Sequence, residues 1–375
     1  MKTKTTLAHA NRAAAAGAAR ATMLDIARHL GLSKGTVSLA LNDAPGVNAE
    51  TRRRVKEYAQ AVRYRPNQLA RAIHTGRSQL VAVVLARLTD SFFEEIVQGI
   101  ENVASRREYD VIVASVSGES AQERARAAES LVDRLIGRQI DGLIGSELTL
   151  PESARALLAD AGVPTLYLGP EPLPGKTSVT VDHALGGRLA AEHLWDLGHR
   201  HVLFVGANER YSRLRLAGAR AVFEERGGAA ASGVDWCLES RTLSRGALDV
   251  EGAYFAVASR LHLRPRGDFT ALFCSSDLLA VGACKAILDA GLSIPGDLSV
   301  VGYDDLRWTR LLTPSLTSVH QPQVSQGEAA MEILLARIEG GGEGGPSALP
   351  GSRLLEPRLV PRDSSGPAPP ARRPT

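Results

Sequence analysis

The sequence has 375 residues, of which 44% are hydrophobic and 23% are charged. This length allows two or three packing units with cores of their own and excludes a single small domain. The composition is ordinary for a globular protein and no apolar run is long enough to cross a bilayer, which together predict a soluble protein without membrane attachment.

The charge is divided unevenly along the chain. Residues 1–77 contain 14 Lys and Arg against 4 Asp and Glu, a net charge of +10, whereas the remainder contains 30 against 37, a net charge of −7. A basic N-terminal segment followed by an acidic remainder is typical of a protein that contacts nucleic-acid phosphates at one end. The alternative is a basic tail that is merely solvated.

The N-terminus is basic and rich in alanine, so a secretory signal has to be considered. Arg12 and Arg20 bracket the alanine tract, and no Leu- or Val-rich stretch lies between them. The three cysteines lie far apart without metal-type spacing, which favours reduced thiols in a reducing compartment. The prediction is a cytoplasmic protein with a disordered extension over residues 1–21 and with no metal or cofactor.

Residues 22–65 have the pattern of a helix-turn-helix unit. Thr22 is the predicted cap of a short amphipathic helix, and Gly31 is predicted to end it. Ser33 then caps a second helix, and Asn48 caps a third. The predicted core of the three helices consists of Leu24, Ile26, Leu30, Val37 and Leu41.

The second helix is predicted to expose a small, polar face while Val37 and Ala40 face the core. The hydroxyls of Thr36 and Ser38 could reach DNA phosphates in a major groove, and Lys34 could reach phosphates or base edges. A solvated face on an ordinary three-helix unit is the alternative. The capping residues, the glycine turn and the basic charge together favour DNA binding. The predicted outward residues are Lys34, Gly35, Ser38 and Leu39.

Residues 66–77 predict a short helix between domains. Pro66 breaks the third helix, Asn67 can cap a new one, and Gly76 ends it. A helix of about two turns is marginal alone, so it is expected to order only against a partner copy or on DNA.

From residue 80 onward, short β-rich runs alternate with helical stretches, and the pattern restarts near residue 200. This alternation predicts two doubly wound parallel sheets, with a cleft facing the carboxyl ends of their strands. A further strand is expected over residues 354–360, and residues 364–375 are predicted to be a disordered tail. The predicted strands are 81–86, 111–116, 142–147, 165–169 and 179–182 in the first unit, and 201–207, 271–276 and 298–304 in the second.

Two sets of motifs resemble one protein family. TMLDIARHLGLSKGTVSLALN, NAETRRRV and YRPNQLARAIHTGRS closely resemble the DNA-binding headpiece of the LacI/GalR transcriptional repressors. VDHALGGRLAAEHLWDLGHRHVLFVG, SSDLLAVGA and IPGDLSVVGYDD are similar to the ligand-binding core of that family, in the same order. The resemblance covers about residues 22–363 and implies an all-α helix-turn-helix headpiece on a two-lobed, periplasmic-binding-protein-like α/β core.

The resemblance also implies the internal division of the core. The first lobe would comprise about residues 78–180 and 321–340, and the second about residues 181–320 and 350–363. A small-molecule effector would bind in the cleft between them.

The resemblance implies a homodimer that reads a near-palindromic operator in double-stranded DNA. Ile73 stands where the family inserts a leucine into the minor groove, and Leu39 stands where many relatives carry arginine. Gly35 removes a side chain from a base-reading position, so operator preference is expected to differ from that of relatives. The implied DNA-contacting residues are Thr22, Ser33, Lys34, Gly35, Thr36, Ser38, Leu39, Asn42, Tyr64, Asn67, Ala70 and Ile73.

For the effector site, the matching motifs imply a polar clamp made by Arg215 and Asp304. A surface helix position for the arginine and a turn-forming role for the aspartate are the alternatives. One of Phe92 and Phe93 is expected to face the ligand, although such a pair also occurs in cores. The further implied ligand contacts are Asp182, Ser276 and Asp277, with Ser276 in the place of an asparagine common in relatives.

Two other classes of protein are alternatives to this one. A periplasmic sugar-binding protein shares the two-lobed core, but the headpiece and the lack of a signal oppose it. A dinucleotide-dependent enzyme would need a G-x-G-x-x-G motif after an early strand or a P-loop, and the sequence has neither a G-x-G-x-x-G at that place nor a P-loop. The sequence therefore predicts a regulator that is not an enzyme, and it leaves open whether the effector is a sugar, a sugar acid, a nucleoside or a purine base.

Overall fold

The computed structural model describes residues 21–64, 76–86, 91–118, 120–146, 149–172, 174–207, 209–227, 234–237, 249–263, 269–340 and 351–369. The chain divides into two compact units, Met1–Ser78 and Gln79–Thr375. The larger unit contains two six-stranded sheets, and each sheet with its helices forms one lobe.

Three short helices form the smaller unit, and their starts follow from side-chain caps. The hydroxyl of Thr22 accepts a hydrogen bond from the backbone of Asp25 and completes a capping box, and Gly31 ends the first helix in the left-handed conformation. Ser33 and Asn48 cap the next two helices through the same kind of bond, so the predicted caps are confirmed. The helices are α1 (Met23–Leu30), α2 (Lys34–Leu41) and α3 (Ala49–Ala61).

The core of this unit is small and differs from the prediction at one position. Leu24 is 46% exposed rather than buried. It lies two residues before Ile26, about 200° around the helix, and therefore faces away from the core. The residues that do fill the core are Ile26, Ala27, Val37, Ala40, Val55 and Ala59.

The first lobe is a parallel sheet with strand order β11-β5-β4-β3-β1-β2. Its strands are β1 (Leu80–Leu85), β2 (Asp110–Ser115), β3 (Gly142–Gly145), β4 (Thr165–Gly169), β5 (Ser178–Val181) and β11 (Arg353–Leu355). Its helices are α4 (Phe92–Arg106), α5 (Ala121–Gly137), α6 (Glu152–Asp160) and α11 (Gln323–Glu339). Apolar clusters cover both faces of this sheet, as expected for parallel strands.

The second lobe repeats this plan with strand order β12-β10-β9-β8-β6-β7, in which only β12 runs antiparallel to its neighbour. Its strands are β6 (Val202–Val205), β7 (Val234–Cys237), β8 (Ala271–Cys274), β9 (Ser299–Asp304), β10 (Thr317–His320) and β12 (Arg358–Val360). Its helices are α7 (His183–Asp196), α8 (Arg210–Gly227), α9 (Val250–Leu263) and α10 (Asp277–Asp289). The predicted fold class is confirmed.

The chain crosses between the lobes three times: after β5, after β10 and after β11. The predicted single strand over residues 354–360 is wrong, because β11 pairs with β5 in the first lobe and β12 pairs with β10 in the second. Pro357 lies between the two strands and cannot donate a ladder hydrogen bond, so it separates them. The prediction that placed residues 350–363 wholly in the second lobe is corrected accordingly.

The predicted disordered tail is also corrected for residues 364–369. Ser364 is buried, its hydroxyl donates to the carbonyl of Val300 at 2.6 Å, and it accepts from the backbone of Thr317 at 2.8 Å. Farther along, the backbone of Ala368 donates to the carbonyl of Leu197. A proline-rich composition predicted disorder, but the backbone groups of this segment find partners in the second lobe.

Two glycines hold α7 and α8 close together. A Cβ at Gly187 would lie 1.9 Å from the carbonyl oxygen of Arg215, and a Cβ at Gly218 would lie 1.9 Å from the carbonyl oxygen of Ala184. Both helices must therefore lack side chains at these points. The close approach sets the position of Arg215 relative to the start of α7.

Candidate functional site

The predicted outward face of α2 is present in the structure. Lys34 and Gly35 are exposed, and Leu39 is 40% exposed, whereas Val37 and Ala40 are fully buried. The face is therefore small and carries one positive charge near the helix start. These features suit insertion into a major groove.

Several of the predicted DNA-contacting side chains already have a partner within the headpiece. The hydroxyls of Ser33 and Thr36 lie 2.9 Å apart, and the side-chain amide of Asn42 donates to the carbonyl of Ser38. Thr22 donates its hydroxyl hydrogen to Asp25. These bonds fix the start of α1 and both ends of α2. The side chains that are predicted to contact DNA therefore also maintain the shape of that surface.

Tyr64 follows α3 and is partly buried, and this burial raises the pKa of its phenol. Its backbone donates to the carbonyl of Ala59 at 2.8 Å. The predicted contacts Asn67, Ala70 and Ile73 lie outside the described residues, as does most of the predicted hinge helix.

In the larger unit, the carboxyl ends of the two sheets face each other. Arg307 follows β9 in the second lobe and donates to Glu95 in the first turn of α4 at 2.6 Å. Arg210 begins α8 and forms an ion pair with Glu171, which follows β4. Because each of these residues follows the carboxyl end of a strand, the two ion pairs bridge the cleft between the lobes.

Arg215 and Asp304 lie together at this edge of the second lobe, as the matching motifs implied. Nη2 of Arg215 lies 3.7 Å from Oδ1 of Asp304, and both side chains are at least nine-tenths buried. Nη1 of Arg215 also donates to the carbonyl of Ser275, directly after β8. The arginine is therefore not a surface residue of α8.

Asp304 is held in an unusual backbone conformation. Its φ is 110° and that of Asp305 is 55°. Residues other than glycine rarely adopt a positive φ. The amide of Gln323 donates to the Asp304 carbonyl at 2.6 Å, and the amide of Gln321 donates to Oδ1 of its carboxylate at 2.6 Å. These bonds tie the end of β9 to the crossing that follows β10.

His183 and Tyr303 complete the surroundings of Arg215. The guanidinium carbon lies 3.6 Å from the centroid of the Tyr303 ring, and Nε and Nη2 lie 3.4 and 3.3 Å from Nδ1 of His183. Burial, and then the charge of Arg215, lower the pKa of His183 to about 2. The imidazole is therefore neutral at any physiological pH.

Asp277 is brought near this group, but it faces inward. Its carboxylate accepts from the backbone of Leu306 at 2.8 Å and from the hydroxyl of Ser318 at 2.6 Å. Burial, and then the charge of Asp304, raise the pKa of Asp277 well above its usual range. In the structure this residue joins the start of α10 to the loop after β9.

Two further predicted ligand contacts are helix caps next to the cluster, since Asp182 directly precedes His183 and Ser276 directly follows Ser275. Ser276 caps α10, and Asp182 caps α7 by accepting from the backbone of Leu185 at 2.8 Å. Phe92 and Phe93 start α4 with their rings edge to face at 5.2 Å, and both pack partly on the core of the first lobe.

The predicted effector set omits Tyr303, Ser275 and the two glutamines, and it omits His183, which the sequence marks only as a weaker candidate near a sheet crossover. His183 directly follows a predicted contact at the end of β5, and Tyr303 directly precedes another. Proximity to a strand end was the available signal. It could not show that an arginine on a helix about 30 residues away would bond to that histidine.

Within the described ranges, no group of three or more His, Cys, Asp or Glu residues is placed to hold a metal ion. No helix among those ranges is both long enough and apolar enough to span a membrane.

Comparisons with known proteins find matches to both compact units of the chain. Residues 22–67 match the family model described as bacterial regulatory proteins, lacI family, and residues 191–365 match the periplasmic binding protein-like domain. The ribose operon repressor of Haemophilus influenzae is 31% identical over 92% of this chain and 98% of its own. The HTH-type transcriptional repressor CytR of Escherichia coli K12 is 30% identical over 92% of this chain and 96% of its own.

Among solved structures, the lac repressor dimer bound to operator and the anti-inducer ONPF is 28% identical to this chain. It superposes with a TM-score of 0.76 and covers 93% of this chain and 100% of its own. The family inferred from the headpiece and core motifs is confirmed. The chain is a DNA-binding transcriptional regulator and belongs to the lacI family of bacterial regulatory proteins.

Proposed function

We propose that this protein is a cytoplasmic transcriptional repressor that binds a near-palindromic operator as a homodimer and is controlled by a small sugar-type effector. The observation that carries the proposal is the occurrence, on one chain, of a capped helix with an exposed polar face and a buried arginine–aspartate pair at the cleft. The names of the relatives support it, since one represses a ribose operon and another was solved as a dimer on operator.

In the headpiece, Lys34 contacts phosphate or a base edge, and Leu39 contacts a thymine methyl group where an arginine would read guanine. Gly35 has no side chain and permits close approach of its backbone to the DNA. Asn67, Ala70 and Ile73 belong to the hinge over residues 66–77, with Ile73 as the minor-groove wedge. The further proposed contacts are Thr22, Ser33, Thr36, Ser38, Asn42 and Tyr64.

In the core, Arg215 donates to ligand oxygens and Asp304 accepts from ligand hydroxyls. Arg215 offers several donors in a fixed plane, while the carboxylate offers only acceptors, so together they suit a ligand with neighbouring hydroxyl groups. One of Phe92 and Phe93 covers an apolar ligand face. Asp182, Ser276 and Asp277 complete the proposed set, and the internal bonds of Asp277 favour an indirect contribution from that residue.

The effector acts by changing how the two lobes close. Three chain crossings join the lobes, and the bonds from Gln321 and Gln323 tie one crossing to Asp304. A ligand that binds one closure better than the other shifts their populations. A coupling of about 1–3 kcal/mol would change operator affinity roughly 5- to 150-fold.

The test has two steps on the full-length protein. Selection from a random duplex library identifies the operator, and a metabolite panel is then screened by thermal shift and by its effect on operator binding. We expect enrichment of a two-fold symmetric site and at least one compound that changes both readouts. Binding that shows no sequence preference would contradict the regulatory role, and an export assay that finds the protein outside the cytoplasm would favour a transport-type binding protein.

A further inference from the structure

Asp304 and Asp305 are neighbours at the end of β9, but their carboxylates have different partners. Asp304 faces the proposed effector site through Arg215. Asp305 accepts a hydrogen bond from Nδ1 of His320 at 3.1 Å and forms an ion pair with the guanidinium of Arg362. The proposed effector contacts therefore leave the role of Asp305 unexplained.

The ion pair of Asp305 is largely buried. Its side chain is 9% exposed, and that of Arg362 is 15% exposed. Burial favours the neutral form of the carboxyl group, but hydrogen bonds from His320 and Arg362 outweigh it and lower the pKa of Asp305. The carboxylate is therefore charged at neutral pH. Nη1 of Arg362 also donates to the carbonyl of Leu316 at 2.7 Å, which fixes the guanidinium next to the start of β10.

The backbone of Asp305 is also fixed. Its φ is 55°, a left-handed conformation that aspartate and asparagine tolerate better than most residues. Its amide donates to the hydroxyl of Ser318 at 3.1 Å, and the same hydroxyl donates to Asp277. The next amide, that of Leu306, also donates to Asp277. The end of β9 is therefore joined to β10 and to the start of α10.

Asp305 connects two of the three chain crossings between the lobes. His320 is the last residue of β10, where the chain leaves for the first lobe, and Arg362 follows β12, which begins just after the chain returns. These two strands also pair with each other. The crossing after β5 is joined to the crossing after β11, because the amide of Asp182 donates to the carbonyl of Leu355 at 2.9 Å. Bonds that start at Asp305 therefore reach all three crossings.

This arrangement determines whether a displacement of Asp304 reaches both lobes. The side-chain amides of Gln321 and Gln323 donate to Asp304 from the crossing after β10. While Asp305 anchors the ends of β10 and β12, this crossing moves together with the end of β9. Without that anchor, the short segment 320–323 can absorb the displacement by local backbone rotation, and the lobes keep their relative position.

We propose that Asp305 is a positioning residue that joins the crossings into one unit and thereby transmits effector binding at Asp304 to the relative position of the lobes. The inference rests on the proposed function and deepens it, since it names the contact through which the regulation passes. Loss of Asp305 should reduce the response of operator binding to the effector and leave effector affinity nearly intact. A merely structural residue would change stability alone.

The test substitution is Asp305→Asn. Asparagine keeps the size of the side chain and tolerates the same φ, but it removes the charge that pairs with Arg362. His320→Ala is the second variant and replaces the first if that does not fold, because it leaves the ion pair in place and removes only the bond to β10. The matched control is Arg188→Met, since Arg188 pairs with Glu225 and joins α7 to α8 within the second lobe.

Hydrogen exchange on the full-length protein, without effector or DNA, measures whether the crossings form one unit. The decisive probe is the amide of Asp182, whose bond is to Leu355. In the Asp305→Asn variant we expect this amide and those of the crossing after β11 to exchange at least about 10-fold faster, and we expect no change in the control. Faster exchange confined to residues 316–320, or unchanged exchange, overturns the inference.

Operator binding by the same samples measures the regulatory part. Affinity for the selected operator is determined without and with D-ribose, D-glucose or adenosine, and calorimetry gives the affinity for each probe. For a probe that changes operator affinity of the unaltered protein by about 5-fold or more, the Asp305→Asn variant should respond by less than about 2-fold. It should bind that probe with an affinity within about 3-fold of the unaltered protein. A full operator response by this variant overturns the inference.

The inference and the proposed function can fail separately. The exchange measurement needs neither probe nor operator, so it decides whether Asp305 joins the crossings even if no probe alters operator binding. That second result would count against the sugar-type effector. Conversely, a protein whose operator binding responds to a probe equally with and without Asp305 would keep the proposed function and lose the inference.

Discussion

Arg215 and Asp304 form a buried ion pair, with 3.7 Å between Nη2 and Oδ1, at the carboxyl end of β9. The aspartate is held there at a φ of 110° by hydrogen bonds from two glutamines of the β10 crossing. The pair is therefore one hydrogen bond away from a segment that joins the lobes. Under the proposed function, this link is the route by which a bound effector alters the closure of the lobes.

Substitution Arg215→Ala is expected to abolish effector binding and to lower the free energy of unfolding by about 3–5 kcal/mol, because it leaves a buried carboxylate without its cation. Denaturant unfolding and calorimetric titration measure the two effects. Arg226→Ala on the same helix removes an exposed pair with Asp196 and is expected to cost less than about 1 kcal/mol. Unchanged effector binding by the Arg215 variant would remove this arginine from the site.

The ion pair between Glu95 and Arg307 is expected to favour the closed cleft. Exposed pairs contribute only about 0.2–1 kcal/mol, so Glu95→Gln or Arg307→Gln should weaken effector affinity no more than about 5-fold. The effects of the two substitutions on effector affinity should be non-additive in a double-mutant cycle, and both should be smaller at high salt.

The control for this pair is Lys285 with Asp289, which lies within α10. Its removal should leave effector affinity unchanged, because both residues belong to one lobe. Small-angle scattering in the presence of effector reports the closure directly. Strictly additive effects of the Glu95 and Arg307 substitutions would show that the bridge does not contribute to closure.

The sequence predicted the fold class because local signals were consistent. Caps at Thr22, Ser33 and Asn48 and the glycine at position 31 each specify a helix end by a bond or a backbone conformation that the residue itself supplies. Alternation of apolar strands and helices then indicated parallel sheets. The sequence did not predict the path of the C-terminal segment correctly. Strands of three residues carry little pattern, and their pairing depends on which lobe has a free sheet edge.

The site was predictable only in part, for a related reason. Arg215 and Asp304 were identified from matching motifs, whereas the contact of Arg215 with His183 depends on how closely α7 and α8 approach. That approach is a tertiary property. The inward orientation of Asp277 likewise follows from hydrogen bonds to the β9–β10 region, which no local pattern encodes.

The stability of the larger unit is expected to fall in mild acid through His183. Its pKa drops from an ordinary 6.5 to about 2 in the folded chain, first because of burial and then because of the charge of Arg215. Below pH 6.5 the unfolded chain therefore binds a proton that the folded chain does not. The contribution of His183 to the free energy of unfolding is therefore fully present above pH 6.5. It decreases by about 1.4 kcal/mol per pH unit as the pH falls below that value.

Unfolding titrations between pH 7 and 5 measure this effect by comparing the protein with its His183→Asn variant. The difference between the two curves isolates one group, because buried histidines such as His199, whose pKa is also lowered by burial, contribute equally to both. Parallel curves over this range would show that His183 takes up its proton in the folded chain.

The segment that follows β12 is expected to stabilise the second lobe. Ser364 connects Val300 and Thr317 through its hydroxyl. Ser364→Ala should therefore cost about 1–3 kcal/mol, because a buried carbonyl and a buried amide each lose a partner. Truncation after residue 360 should cost more, because it also removes the bond between Ala368 and Leu197. Melting temperatures of the two variants are compared with that of the unaltered protein, and unchanged values would contradict a structural role for the segment.

Lys34 is expected to contact DNA phosphate from the exposed start of α2. Lys34→Ala should weaken binding to all duplexes and reduce the slope of log affinity against log salt by about 1, because one fewer counterion is released. Lys56→Ala is the control, since Lys56 lies on α3 and binds Asp43 at 2.6 Å. Filter binding over a range of salt concentrations on selected and scrambled operators gives both slopes. A slope that stays unchanged while affinity for the selected operator alone falls would place Lys34 on a base edge instead, because base contacts discriminate sequence without releasing phosphate counterions.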